Sequence, residues 1–308
     1  MRTFHSLLAV LLSAPILLII SSCQETFEPN KELNVLFAYD EEQERLDNLG
    51  NPSSIPDGHA AQSPDFRALG VFTIELAPDQ FTPPGQGFTL FKSAETSAGG
   101  DMAIDFDELN TSANLTGVLP IEEIPEGTYP YLRVSVAYQN YDIRYNLLNT
   151  TLGDFNNETG TIASFLGYNT FINSVTPWEI PLEVNDDKLQ GFWAFETRFA
   201  EPFSALNQVY SGQAPEGATT VVNPLAGIAD IPPGSCIITG EFDTPLEVSG
   251  DMSGLTLRLN FSINDSFEWV DENGNGEWDF DLAAGTVEQV VDMGLRGLKP
   301  VWFQDLPD

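Results

Sequence analysis

The segment Asp271-Glu272-Asn273-Gly274-Asn275-Gly276-Glu277-Trp278-Asp279-Phe280-Asp281 concentrates hard oxygen donors at a regular spacing. With Asp271 as position 1, oxygen-bearing side chains fall at positions 1, 3, 5, 9 and 11, and a glycine occupies position 6. Calcium takes about 6–8 oxygen ligands at about 2.4 Å. Alternate side chains on a tight loop converge on one centre, and Gly276 permits the bend between them. The main-chain carbonyl of Glu277 can supply a further oxygen. Asp281 is the candidate for an additional carboxylate. The competing reading is a polar hairpin turn, because Asn273-Gly274 and Asn275-Gly276 are both turn-forming dipeptides.

The spacing also resembles the calcium loop of EF-hands. That resemblance implies ligand roles for Asp271, Asn273, Asn275 and Asp279. The segment departs from it at position 12, where Leu282 stands in place of a bidentate glutamate, and at position 8, which is Trp278. The residues before the loop read as a strand and not as a helix. A structural calcium ion between β elements is therefore expected, not a helix-loop-helix sensor.

A second residue with chemistry is Cys23. Arg2 and His5 precede an apolar run from Leu7 to Ile20, interrupted by Pro15 and followed by Ser21-Ser22-Cys23. The run falls short of the ~20 apolar residues of a comfortable membrane span. The arrangement resembles a bacterial lipoprotein signal, which implies removal of residues 1–22 and lipidation of Cys23, with 23–32 as a lipidated tether. Each buried acyl CH₂ contributes about 0.8 kcal/mol to such an anchor. The implied location is the outer membrane of a Gram-negative bacterium, lipid-anchored and facing the periplasm or the cell surface. Gln24-Glu25 loosely resembles the acidic start of Bacteroidetes surface lipoproteins.

Charge narrows the partners. The chain carries 12 Lys and Arg against 46 Asp and Glu, a formal charge of -34. Nucleic acid and anionic lipid surfaces repel such a chain, so membrane contact is expected through the N-terminal lipid alone. With Cys23 lipidated, Cys236 has no cysteine to pair with and reads as a buried thiol in a strand. Beyond the leader, His59 is the remaining histidine. One histidine excludes a two-histidine metal site within the chain, and there is no Gly-x-Ser-x-Gly elbow or phosphate-cradling glycine loop.

The elements that must position these residues read as strands. Leu255, Leu257, Leu259, Phe261 and Ile263 alternate with Thr256, Arg258, Asn260, Ser262 and Asn264, the period of a half-buried strand. Leu33–Tyr39, Val71–Leu76, Gly87–Phe91, Thr128–Tyr138, Gln190–Phe199 and Ile237–Phe242 are further strand candidates. Short helices are expected at Ala205–Tyr210 and Val287–Val291. With 21 prolines and 25 glycines, the pattern predicts a mainly β chain: an antiparallel β-sandwich with long loops and few short helices. Residues 33–308 read as a single elaborated domain, with a Pro/Gly-rich excursion at 211–234.

Several pieces resemble the MbnP-like domain, a β-sandwich family of bacterial lipoproteins. They are Val35–Tyr39, Val71–Leu76, Pro125-Glu126-Gly127-Thr128-Tyr129 with the strand after it, and Gly191-Phe192-Trp193-Ala194-Phe195-Glu196. Some members bind copper, which implies Trp193 and His59 as the residues to consider. The expected function is a non-enzymatic binding or interaction module for an unidentified protein or glycan. The alternatives are a copper-handling periplasmic protein or a carbohydrate-active enzyme, in which Trp178, Trp302 or Tyr210 would stack on sugars.

Overall fold

The computed structural model describes residues 31–97, 102–111, 114–167 and 169–304; Cys23 and the leader lie outside them. In chain order the strands are β1 (Leu33–Asp40), β2 (His59–Gln62), β3 (Asp65–Ala77), β4 (Phe88–Lys92), β5 (Glu95–Thr96), β6 (Ala103–Asp105), β7 (Asn114–Leu115), β8 (Gly127–Thr150), β9 (Gly153–Phe165) and β10 (Thr170–Val175). They continue with β11 (Leu182–Lys188), β12 (Phe192–Thr197), β13 (Val209–Gln213), β14 (Ile237–Val248), β15 (Leu255–Ser262), β16 (Phe267–Val270), β17 (Asp279–Asp281), β18 (Thr286–Val287), β19 (Val290–Asp292) and β20 (Arg296–Gln304).

These strands form a mainly antiparallel β-sandwich. A nine-stranded curled sheet is built around β8, and a four-stranded sheet of order β20-β15-β1-β7 packs on one of its faces. Leu255, Leu257, Leu259 and Phe261 on β15 and Leu33 and Val35 on β1 are fully buried. They meet Leu132, Val134, Ile74 and Ile238 of the large sheet in the main core. Each such side chain contributes about 1.5–3 kcal/mol by leaving water. The alternation of β15 thus settles which face is inside, although its neighbour β1 runs parallel to it. The other face of the large sheet is partly covered by the sheet of order β11-β10-β6-β5, through a second cluster of Ile104, Ile172 and Val175 with Phe72, Tyr138 and Phe165. A three-stranded sheet of order β19-β16-β2 carries Phe267, Trp269 and Val290 into the main core.

β8 is 24 residues long and serves two partners in succession along one edge. Gly127 to Ser135 pairs with β14, and Tyr138 to Thr150 pairs with β9. At the handover Ala137 is skipped in the pairing with β3, which runs Val71↔Val136 and then Gly70↔Tyr138. An extra residue in one strand inverts the side-chain alternation beyond it. Leu132, Val134 and Val136 therefore face the main core before the bulge, and Tyr141, Ile143, Tyr145 and Leu147 face it after. Ala137 and Tyr138 both turn to the second cluster. Phe72 makes the matching irregularity in β3, between Leu69 and Val71 on one side and Ile74 and Leu76 on the other.

Among the described residues there are three short 3-10 segments and no α-helix. The helix expected at Ala205–Tyr210 is a 3-10 turn at Ser204–Leu206 that runs into β13, and Val287–Val291 is divided between β18 and β19. Segments of five or six residues do not meet the cost of helix nucleation, and β-branched valines with a strand partner (Val290 opposite Trp269) take the extended form. The excursion at 211–234 folds back on the sheet. Asn223 caps a 3-10 turn at Pro224–Gly227, and Leu225 and Ile231 pack on Ile237.

Candidate functional site

The loop from Asp271 to Asp279 joins β16 to β17. Asp271 turns inward: its Oδ1 accepts the N–H groups of Gly274 and Asn275, and its Oδ2 that of Gly276. Gly274 and Gly276 hold φ of 72° and 79°, which glycine adopts without strain. At the far end, Asp279 Oδ2 accepts from Asn273 Nδ2 at 2.6 Å and Asn275 Nδ2 at 2.9 Å, and its Oδ1 accepts from Asn146 Nδ2 at 2.8 Å. The parallel pairing of β17 with β8 places Asp279 opposite Asn146. Asp271, Asn273, Asn275 and Asp279 are thus brought together. Glu277 lies within the loop, its N–H donating to Asn275 Oδ1. Asp281 turns elsewhere, accepting from Asn149 Nδ2 and from the N–H of Ala284, which holds its carboxyl below the ordinary range.

The loop gains a carboxylate that spacing alone does not suggest. Glu288 follows β18, and its Oε1 and Oε2 accept the N–H groups of Glu272 and Asp279 at 2.9 and 3.0 Å. Burial pushes the Glu288 carboxyl up to about 7; the charges of Asp279 and Asp271 push the same way, against the two N–H donors. In sequence its only signal is a single charge close to Val287, Val290 and Val291. Trp278 pins the assembly: its buried indole donates from Nε1 to the Glu288 carbonyl at 3.0 Å and packs edge-on against Phe195, Phe267 and Phe280. That contact accounts for an aromatic residue at position 8. In this conformation the loop is a hydrogen-bonded turn, and among the described residues no group of three or more His, Cys, Asp or Glu side chains is arranged to hold a metal ion. Carboxylate oxygens carry two lone pairs each, so Asp271 Oδ2, Asp279 Oδ1 and both Glu288 oxygens keep acceptor capacity beyond these bonds.

A second polar assembly lies in the interior. Glu268 on β16 is fully buried, ion-paired with Arg45 and accepting from His59 Nδ1–H at 2.6 Å. The Thr220 hydroxyl stands 2.7 Å from both Glu268 Oε2 and Asp292 Oδ2. Asp292, opposite Glu268 in the β16–β19 pairing, also accepts from Arg296, Thr219 and the N–H groups of Thr220 and Val221. This network ties the 211–234 excursion to the three-stranded sheet and to the Arg45 segment. His59 is thereby oriented by a carboxylate, a pairing across 209 residues that no local motif announces.

Trp193, the other residue of the copper expectation, is buried in the large sheet with its ring 6.2 Å from Trp278, whereas His59 belongs to the three-stranded sheet. Trp178 is held by guanidinium carbons of Arg67 and Arg198, each 3.9 Å from its ring centroid. Both also pair with Asp142. Trp302 donates from Nε1 to the Thr244 carbonyl, and Tyr210 packs on Phe280. No helix among the described residues is long and apolar enough to cross a membrane.

Compared with known proteins, the chain matches no family model, no curated protein and no solved structure.

Proposed function

We propose that this chain is a lipid-anchored, non-enzymatic binding or interaction module of a Gram-negative cell envelope, with one calcium ion stabilising the loop at 271–279. The observation that carries the calcium reading is the run of contacts through the loop: Asp271 accepts the Gly276 N–H, Asn273 and Asn275 reach Asp279, and Glu288 accepts the Asp279 N–H. Glu288 supplies the carboxylate that the spacing lacks at Leu282. Calcium would neutralise the crowded charges and draw the Asn273 and Asn275 side-chain oxygens inward by rotation of their amides.

The anchor rests on Cys23 and its leader. Residues 23–32 reach at most about 35 Å when extended, which keeps β1 close to the bilayer surface. The test uses the full chain made in a Gram-negative host fed an alkyne-tagged fatty acid. Label on the wild type, lost in Cys23→Ser, is the expected result. Equal label in both chains, or none in either, defeats the anchor. Calcium content is then measured on the same purified chain by elemental analysis. About one calcium per chain, lost in Asp271→Ala, supports the loop; no retained calcium reduces it to a turn.

A further inference from the structure

A cavity of about 450 Å³ opens on the face of the large sheet that points away from the main core. Its volume falls within the roughly 300–1,000 Å³ of small-molecule sites. The strand irregularities build it. At Phe72 in β3 and Ala137 in β8 the alternation inverts, so Phe72 and Thr73 come to the cavity in succession, beside Arg133 and Ser135. Bulges re-aim side chains in this way next to binding sites.

The floor is polar and incompletely satisfied. Arg133 is 1% exposed and Ser135 3%. Arg133 donates from Nε to Thr239 Oγ1 at 3.0 Å and from Nη2 to the Gln80 carbonyl at 3.3 Å. Its Nη1 and the Ser135 Oγ have no hydrogen-bond partner among the described residues. The nearest carboxylate oxygen, Glu75 Oε2, stands 3.9 Å from Nη1, beyond hydrogen-bond reach. Leaving such donors unmet in the interior is costly, more so for a charged group. Burial pulls the Arg133 guanidinium below its ordinary range, and Glu75 opposes that.

The charges lining the cavity balance. Glu75 and Glu95 stand against Arg133 and Lys92, and Lys92 reaches Glu95 at 2.8 Å. A bare anion placed on Arg133 meets Glu75, and a bare cation placed on Glu75 meets Arg133. A molecule with both charges satisfies the pair. The chain's charge of -34 also repels small anions from a distance, while a net-neutral molecule approaches unopposed. Phe72, Ile104 and Ile237 supply apolar wall.

We propose that this cavity binds a small zwitterion of the amino-acid type with an apolar side chain. Its carboxylate takes the Arg133 and Ser135 donors, which lie closed off just beneath the cavity floor and turn up into it by a change of rotamer, its ammonium faces Glu75, and its side chain lies against Phe72, Ile104 and Ile237. The inference rests on the binding-module reading and gives that module a ligand class. It is independent of the anchor and of calcium.

The test is calorimetric titration of the full chain, in detergent and with chelator present, against L-leucine, L-phenylalanine, 3-phenylpropionate and phenethylamine. The expected result is one amino acid per chain with a dissociation constant below about 1 mM, and at least about tenfold weaker binding of the two singly charged probes. Ser135→Ala removes a hydroxyl that has no partner, so it folds as the wild type does and weakens the amino acid about tenfold or more. Glu75→Gln, which keeps an acceptor for the Gly85 N–H, weakens it likewise. Absence of amino-acid binding up to about 10 mM overturns the inference, as does 3-phenylpropionate binding equally well, or indifference to both substitutions. None of these results bears on calcium content or lipid label.

Discussion

Glu288 Oε2 accepts the backbone N–H of Asp279 at 3.0 Å, so a residue nine positions further on returns its carboxylate to the end of the acidic loop. The short hairpin of β17 and β18, with Phe280 opposite Val287, makes the return possible. The loop thereby acquires a carboxylate from outside its own segment, where its own position 12 is Leu282.

Calcium at about 100 times its dissociation constant adds about 2.7 kcal/mol to the stability of a one-site protein. For a chain of this size that raises the melting temperature by roughly 4–5 °C. Differential scanning calorimetry should show the rise in the wild type. Asp271→Ala should melt at one temperature with calcium or chelator, and Glu288→Gln should keep only part of the rise. A rise of equal size in all three places the ion elsewhere.

Cys236 is buried at the junction of β14 and β9, its thiol donating to the Leu295 carbonyl at 3.2 Å. Burial pushes this thiol up to about 11. The thiolate is the reactive form, so in a Cys23→Ser background the folded chain should not react with a thiol reagent at pH 8 and should react fully in denaturant. The raised value also makes the unfolded chain the readier to lose its proton. Stability should therefore fall as pH rises from about 9 to about 11, more steeply in the wild type than in Cys236→Ala. Parallel slopes from denaturant titrations at each pH would rule out that contribution.

Glu196 is buried, and its Oε2 accepts the N–H groups of Trp178, Glu179 and Ile180 at 2.9, 2.9 and 3.0 Å. One carboxylate thus fixes the turn that carries Trp178 against Arg67 and Arg198. Glu196→Ala leaves these donors without their acceptor and should cost about 3 kcal/mol by urea unfolding, with a red shift in tryptophan emission. Glu196→Gln keeps a carbonyl acceptor and should lose about half as much. An alanine variant as stable as the wild type would show that water replaces the carboxylate.

Ala137 inverts the alternation of β8. Its deletion cannot keep both Leu132, Val134 and Val136 and Tyr141, Ile143 and Tyr145 in the main core. The loss should exceed ~5 kcal/mol, enough to abolish a cooperative thermal transition followed by circular dichroism. Ala137→Gly preserves the count and should cost no more than about 1 kcal/mol. A deletion variant that still melts cooperatively would mean that the strand re-registers elsewhere.

Sequence by itself determined the β character of this chain, the inner face of β15 and the acidic loop as a local unit. Each of these follows from residues within a dozen positions of one another: a period of two, turn dipeptides, oxygen donors at alternate sites. Tertiary structure alone decided that β1 pairs in parallel with β15, that Glu288 joins the loop while Asp281 turns to Asn149, that His59 meets Glu268, and that Trp178 meets Arg67 and Arg198. It also decided the cavity, because the bulges at Phe72 and Ala137 exist only in the pairing of β3 with β8. Local spacing dictates which way a side chain points from its own strand. Its neighbour is dictated by which distant strand minimises buried, unpaired backbone and fills the core, and that choice belongs to the whole chain at once.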